Sequence, residues 1–98
     1  GLTIDRAAHR VMLAGEELNL TATEYKLLVT LLERRGRVQS RPQLLETVWD
    51  AQPDIQTRTV DMHVQRLRSK LGEVGDMIET VRGFGYRFKN AERGSRAT

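Results

Sequence analysis

The chain has 98 residues, no cysteine, two histidines and a formal net charge of +3. That length suits one small domain burying on the order of 60–65% of its unfolded surface, enough for a single core without cross-links. Without cysteine there is neither a disulfide framework nor a thiolate metal site. His9 and His63 stand far apart with no companion ligands, so no metal or other cofactor is expected. No run of about 18 apolar residues is available to span a membrane, and no basic-then-apolar leader opens the chain. A cytoplasmic setting, with no membrane partner, is the expectation.

The charge is unevenly placed. Residues 1–56 carry seven Lys/Arg against eight Asp/Glu, whereas 57–71 carry four against one. Residues 73–81 hold three acids and no base, and 82–89 hold three bases and no acid. Positive charge gathered in two segments is the footprint expected for nucleic acid; it is equally the pattern of a solvated face.

In chain order, Leu2–Asp5, Arg10–Leu13 and Glu17–Leu20 read as three short strands, separated by tight connections at 7–9 and 14–16. A three-strand meander follows. Thr21 and Glu24 have capping-box spacing. They open a helix over 22–35 whose apolar face is Tyr25, Leu28, Val29 and Leu32, widened by Leu27 and Leu31. Gly36 supplies a left-handed stop. Residues 38–40 read as a short strand or a turn. Ser40 then caps a second helix, with Pro42 tolerated in its first turn, and Leu44, Leu45, Val48 and Trp49 form its apolar side. Pro53 punctuates a loop over 50–54.

Residues 57–71 form the most informative segment, with Thr57 as the expected N-cap and Gly72 as the stop. Val60, Val64, Leu67 and Leu71 recur at helical spacing and make one narrow apolar stripe. Arg58, Met62, Gln65, Arg66 and Ser69 point the opposite way, with Asp61 and Arg68 on one flank and His63 and Lys70 on the other. The helix is half buried and half presented, and the presented half is mostly basic. The major groove of DNA admits a helix of this kind.

Residues 73–76 are a connection, 77–81 a strand, and Arg82-Gly83-Phe84-Gly85 a turn. Tyr86 and Phe88 alternate with Arg87 and Lys89, so a second strand returns and completes a hairpin over 77–89. Residues 90–98 show no apolar periodicity and read as a flexible tail. The expected fold class is α+β: a winged helix-turn-helix over 1–89, with an N-terminal antiparallel sheet, three helices and a C-terminal β-hairpin wing.

Four segments in order, Leu20–Tyr25, Ser40–Trp49, Arg58–Leu71 and Thr80–Phe88, carry a resemblance to the C-terminal effector domains of OmpR/PhoB-type response regulators. The resemblance covers roughly residues 2–89. It implies transcriptional control by sequence-specific binding to double-stranded DNA, with 57–71 in the major groove. It also implies a receiver domain N-terminal to Gly1, phosphorylated on an aspartate and absent from this chain. Head-to-tail dimers on direct repeats are implied too, as is a contact with RNA polymerase through the loop 50–56, where Asp50, Gln52, Asp54 and Gln56 are the polar residues.

Arginine bonds bidentately to guanine O6 and N7, and Arg66 matches the family's usual base-reading position. Gln65, Met62 and Thr59 are further candidate base contacts; Met62 can touch a thymine methyl or simply lie on the helix, and the family often has a smaller apolar residue there. Arg58, His63, Arg68 and Lys70 are candidate phosphate contacts, which position without reading sequence. Trp49, through its indole N–H, and Thr80, through its hydroxyl, join them. Arg82 can enter a narrow minor groove, and Gly83 lets backbone approach closely. Asp61 is expected to pair with Arg58 or a neighbour one turn on, and Tyr86 to pack in the core with its hydroxyl near the backbone.

An enzyme is not expected, since no nucleophile–base pair, carboxylate dyad or metal constellation is visible. A winged helix that binds an acidic protein is the rival reading; arginine on both the helix face and the wing favours DNA.

Overall fold

The computed structural model describes residues 2–50, 52 and 54–89; the expected tail 90–98 lies outside them. Strands β1 (Leu2–Asp5), β2 (Arg10–Leu13) and β3 (Glu16–Glu17) form an antiparallel meander. Ala14 and Gly15 both have positive φ, 53° and 85°, and join Leu13 to its partner Glu16. Positive φ at both central residues is the two-residue turn whose twist matches a hairpin. The third strand therefore starts at Glu16 and is only two residues long, rather than covering 17–20. Leu18 still donates its N–H to the Val11 carbonyl at 2.8 Å, but Leu20 turns back on Leu18 to free Thr21 for the next helix.

Helix α1 (Ala22–Glu33) opens with the expected capping box: the Thr21 hydroxyl accepts the Glu24 N–H, and the Glu24 carboxylate accepts the Thr21 N–H. It ends two residues short of the expected 35. Arg34 leaves helical geometry and turns its guanidinium to Gln39 (2.8 Å) and Thr47 (3.3 Å). Gly36, at φ 84°, donates its N–H to the Phe88 carbonyl. Residues 39–40 form strand β4 (Gln39–Ser40). Helix α2 (Arg41–Trp49) follows, capped reciprocally by Ser40 and Gln43, and closes on Asp50 in the left-handed region.

Helix α3 runs Thr57–Leu71. Its N-cap is Gln56, not Thr57, because the Gln56 carbonyl already accepts the Thr59 N–H at 2.9 Å. Residues Gly72–Met77 wind as a 3₁₀-helix, so β5 (Ile78–Val81) starts one residue later than expected. The short helix folds back beneath α3: a Cβ on Gly75 would lie 2.9 Å from the Arg68 Cα. Strand β6 (Gly85–Phe88) lies between β4 and β5 in a second antiparallel sheet.

Both sheets and the three helices share one core. Val60, Val64, Leu67 and Leu71 are fully buried against Leu27, Leu28, Leu31, Leu44, Ile78 and Phe88. The apolar stripe read from sequence is thus the seam that docks α3, and its opposite face is fixed outward. Each of these side chains contributes on the order of 1.5–3 kcal/mol by leaving water, so helix orientation is set by burial.

Candidate nucleic-acid interface

On the outward face of α3, Arg58, Met62, Gln65 and Arg66 are exposed. Among the described residues, Arg58 and Arg66 have no hydrogen-bond or ion-pair partner, so both guanidiniums remain available. Thr59 is half-buried, and its carbonyl accepts from His63 Nδ1 at 2.9 Å. A carbonyl can only accept, so Nδ1 carries the proton. Trp49, half-buried at the end of α2, meets the His63 ring edge-on at 5.1 Å between centroids.

The wing carries Arg82, Gly83 and Phe84 at an exposed tip. Gly83 has φ 82°, the left-handed value a side chain resists. Across the wing, Arg87 donates twice to Glu79 Oε1, at 3.0 and 2.8 Å. Among the described residues, Arg82 and Lys89 consequently carry the wing's uncompensated charge.

Two of the expected phosphate contacts also bond within the protein. Lys70 Nζ donates to Glu24 Oε1 at 2.6 Å and to the Asn19 carbonyl at 3.0 Å, with the Glu24 side chain 3% exposed. Arg68 donates from Nε and Nη2 to the Ile78 carbonyl and from Nη2 to the Thr80 hydroxyl at 2.8 Å. Arg68 thereby ties α3 to the wing's first strand. It also orients Thr80, whose exposed hydroxyl proton stays free to donate.

Asp61 pairs not with Arg58 but with Arg41 of α2, which donates to Oδ1 at 2.7 Å. The Tyr86 hydroxyl donates to the same oxygen, rather than lying near backbone. The Arg41 and Arg68 guanidiniums lie 5.1 and 5.7 Å from the Tyr86 ring centroid. Arg41, Asp61, Tyr86 and Arg68 thus join α2, α3 and the wing through one polar cluster. Burial pushes the Asp61 carboxyl up, but the Tyr86 hydroxyl and Arg41 outweigh it, and the net direction is down. Burial and then Asp61 push the Tyr86 phenol up. Burial likewise pushes Glu24 up, while Lys70 and the Thr21 N–H outweigh it and hold it below the ordinary carboxylate value.

These directions fix a sign. A carboxyl held lower in the fold contributes stability that is present above its unfolded pKa and is lost as pH falls through the folded value. Melting temperature should be flat from neutral pH to about 5 and fall below about 4, where ordinary carboxylates titrate. Lys70→Ala should lower the neutral plateau and shallow that acid limb, read by thermal melts at each pH. An unchanged limb would mean that the Lys70–Glu24 pair contributes nothing.

Arg41, Glu24 and the Tyr86 hydroxyl were not identified from the sequence as parts of this surface or its support. Of the loop residues, Asp50 is exposed in its left-handed cap, Gln52 and Asp54 are exposed, and Gln56 is exposed at the start of α3. Among the described residues no helix is long and apolar enough to cross a membrane, and no three His, Cys, Asp or Glu side chains gather as a metal site.

The family described as "Transcriptional regulatory protein, C terminal" matches residues 15–88. The phosphate regulon transcriptional regulatory protein PhoB of Pseudomonas aeruginosa is 44% identical over 89 residues, 90% of this chain and 39% of that protein. The transcriptional regulatory protein CseB of Streptomyces coelicolor is 50% identical over 88 residues, 90% of this chain and 37% of that protein. The chain therefore spans about two fifths of the length of these relatives. Among solved structures, the DNA-binding domain of the response regulator AdeR, in complex with an intercistronic region, superposes with a TM-score of 0.80 at 40% identity, covering 91% of this chain and 93% of that one.

Proposed function

Because the chain belongs to the family of C-terminal domains of transcriptional regulatory proteins, we propose that it is the DNA-binding output domain of a two-component response regulator. The observation that carries this reading is the split of α3. Four fully buried residues fix its inner face, while Arg66, Gln65 and Met62 stand exposed on the outer one, with Arg82 exposed at the wing tip.

In this reading α3 lies in the major groove. Arg66 donates bidentately to guanine O6 and N7, and Gln65, Met62 and Thr59 adjust the neighbouring positions. Arg58, Thr80, the Trp49 indole N–H and His63 hold phosphates. Arg82 enters the minor groove, where Gly83 permits close approach. Lys70 and Arg68 support the helix rather than the DNA. Asp50, Gln52, Asp54 and Gln56 form the surface offered to RNA polymerase. A receiver domain preceding this chain in the full protein, once phosphorylated, brings two copies head to tail on direct repeats.

The test is a salt titration with duplex DNA. If about three phosphates are neutralised, log affinity falls with log salt at a slope of about −2.7, roughly fortyfold between 50 and 200 mM. Duplex binding that ignored salt would contradict the reading.

A further inference from the structure

Among the described residues the exposed large apolar side chains are Met62, 47% exposed, and Phe84, 69% exposed. Met62 lies on the outward face of α3. Phe84 lies at the wing tip, between Gly83 and Gly85 and two positions from Arg82. Neither belongs to the core, and they occupy the two elements assigned to DNA. A single exposed hydrophobe is ordinary; its placement here is what matters.

The tip is a closed turn. The Phe84 N–H donates to the Val81 carbonyl at 2.9 Å, and Val81 pairs with Gly85 to close the turn. The ring is therefore carried outward on a hydrogen-bonded turn. The exposed Arg82 beside it gives the tip the positive charge that a phosphate-lined groove attracts.

We propose that Phe84 is a specificity residue: its ring enters the minor groove beside Arg82 and wedges against a deformable base step. Apolar side chains that enter this groove partly unstack a step, and pyrimidine–purine steps such as TA and CA yield most easily. The tip would then read the flexibility of the flanking sequence, while Arg82 responds to groove width and charge. This inference rests on the DNA-binding reading, and the experiment separates the two.

The probe is the duplex that the wild-type chain selects from a random library, with 2-aminopurine placed at successive steps flanking the α3 site. Wild type should raise the fluorescence at one flanking step by unstacking it, and should prefer TA or CA there. Phe84→Ala, which removes an exposed ring and leaves the core intact, should abolish that rise and erase the preference. It should weaken binding about five- to tenfold, the fraction of an aromatic burial that a partly inserted ring returns. Its salt slope should match wild type, because no phosphate contact is lost, and Phe84→Leu should restore part of the affinity. If Phe84→Ala kept wild-type affinity, fluorescence and step preference while Arg82→Ala weakened binding, the Phe84 proposal would fall and the DNA-binding reading would stand. If wild type selected no duplex, both would fall.

Discussion

Gly85→Ala should cost about 2–6 kcal/mol, combining an overpacking cost of about 1–3 kcal/mol with backbone strain of about 1–3 kcal/mol. Gly85 is buried at the start of β6 with φ 152°, a value that side chains rarely adopt. An added Cβ would overlap the Gln39 carbonyl oxygen and lie 2.8 Å from the Ser40 Cα. Both neighbours are backbone on β4, pinned by the register Ser40↔Gly85. Ser40 is also the cap of α2, so it cannot retreat without uncapping that helix. A domain of this size has roughly 5–15 kcal/mol in total, and melting should drop by roughly 10–30 °C. Calorimetry reads this directly. Gly83→Ala is the matched control: its Cβ meets nothing within 4 Å, so only backbone strain at φ 82° remains. Equal losses at the two positions would show that close packing of β4 on β6 is not what Gly85 serves.

Arg66→Ala should do the reverse, leaving the fold unchanged and altering recognition. Arg66 is exposed, while its neighbour Leu67 is fully buried in the core. Removing an unpaired surface guanidinium changes stability by no more than about 0.5 kcal/mol. On the preferred duplex its loss should cost about 1–3 kcal/mol, concentrated at one base pair. Lys70→Ala gives the contrast: with its ammonium on Glu24 and Asn19, it should lower stability and leave base preference intact.

The architecture was largely visible in the sequence because its signals are local. The spacing of Val60, Val64, Leu67 and Leu71 specified the buried face of α3, and Thr21 with Glu24 specified the start of α1. Boundaries shifted where tertiary contacts intervened. Glu16 joined the strand because the turn before it needed only Ala14 and Gly15. Residues 72–77 became a 3₁₀-helix because Gly75 packs on the backbone at Arg68. The exposed part of the candidate surface, Arg66, Gln65, Met62 and Arg82, followed from helical phase and the turn. Its supports did not. Asp61 found Arg41, twenty positions earlier, and Lys70 found Glu24, forty-six positions earlier. Charge and phase place a side chain on a flank, but only the packed fold decides which acid it meets.

The reading of α3 as a base-reading helix is tested most directly by selecting bound duplexes from a random library with wild type and with Arg66→Ala, and comparing the two motifs position by position. Wild type should enrich a guanine at one fixed position, and Arg66→Ala should lose the preference there while keeping the rest of the motif. Identical motifs from both proteins would contradict it.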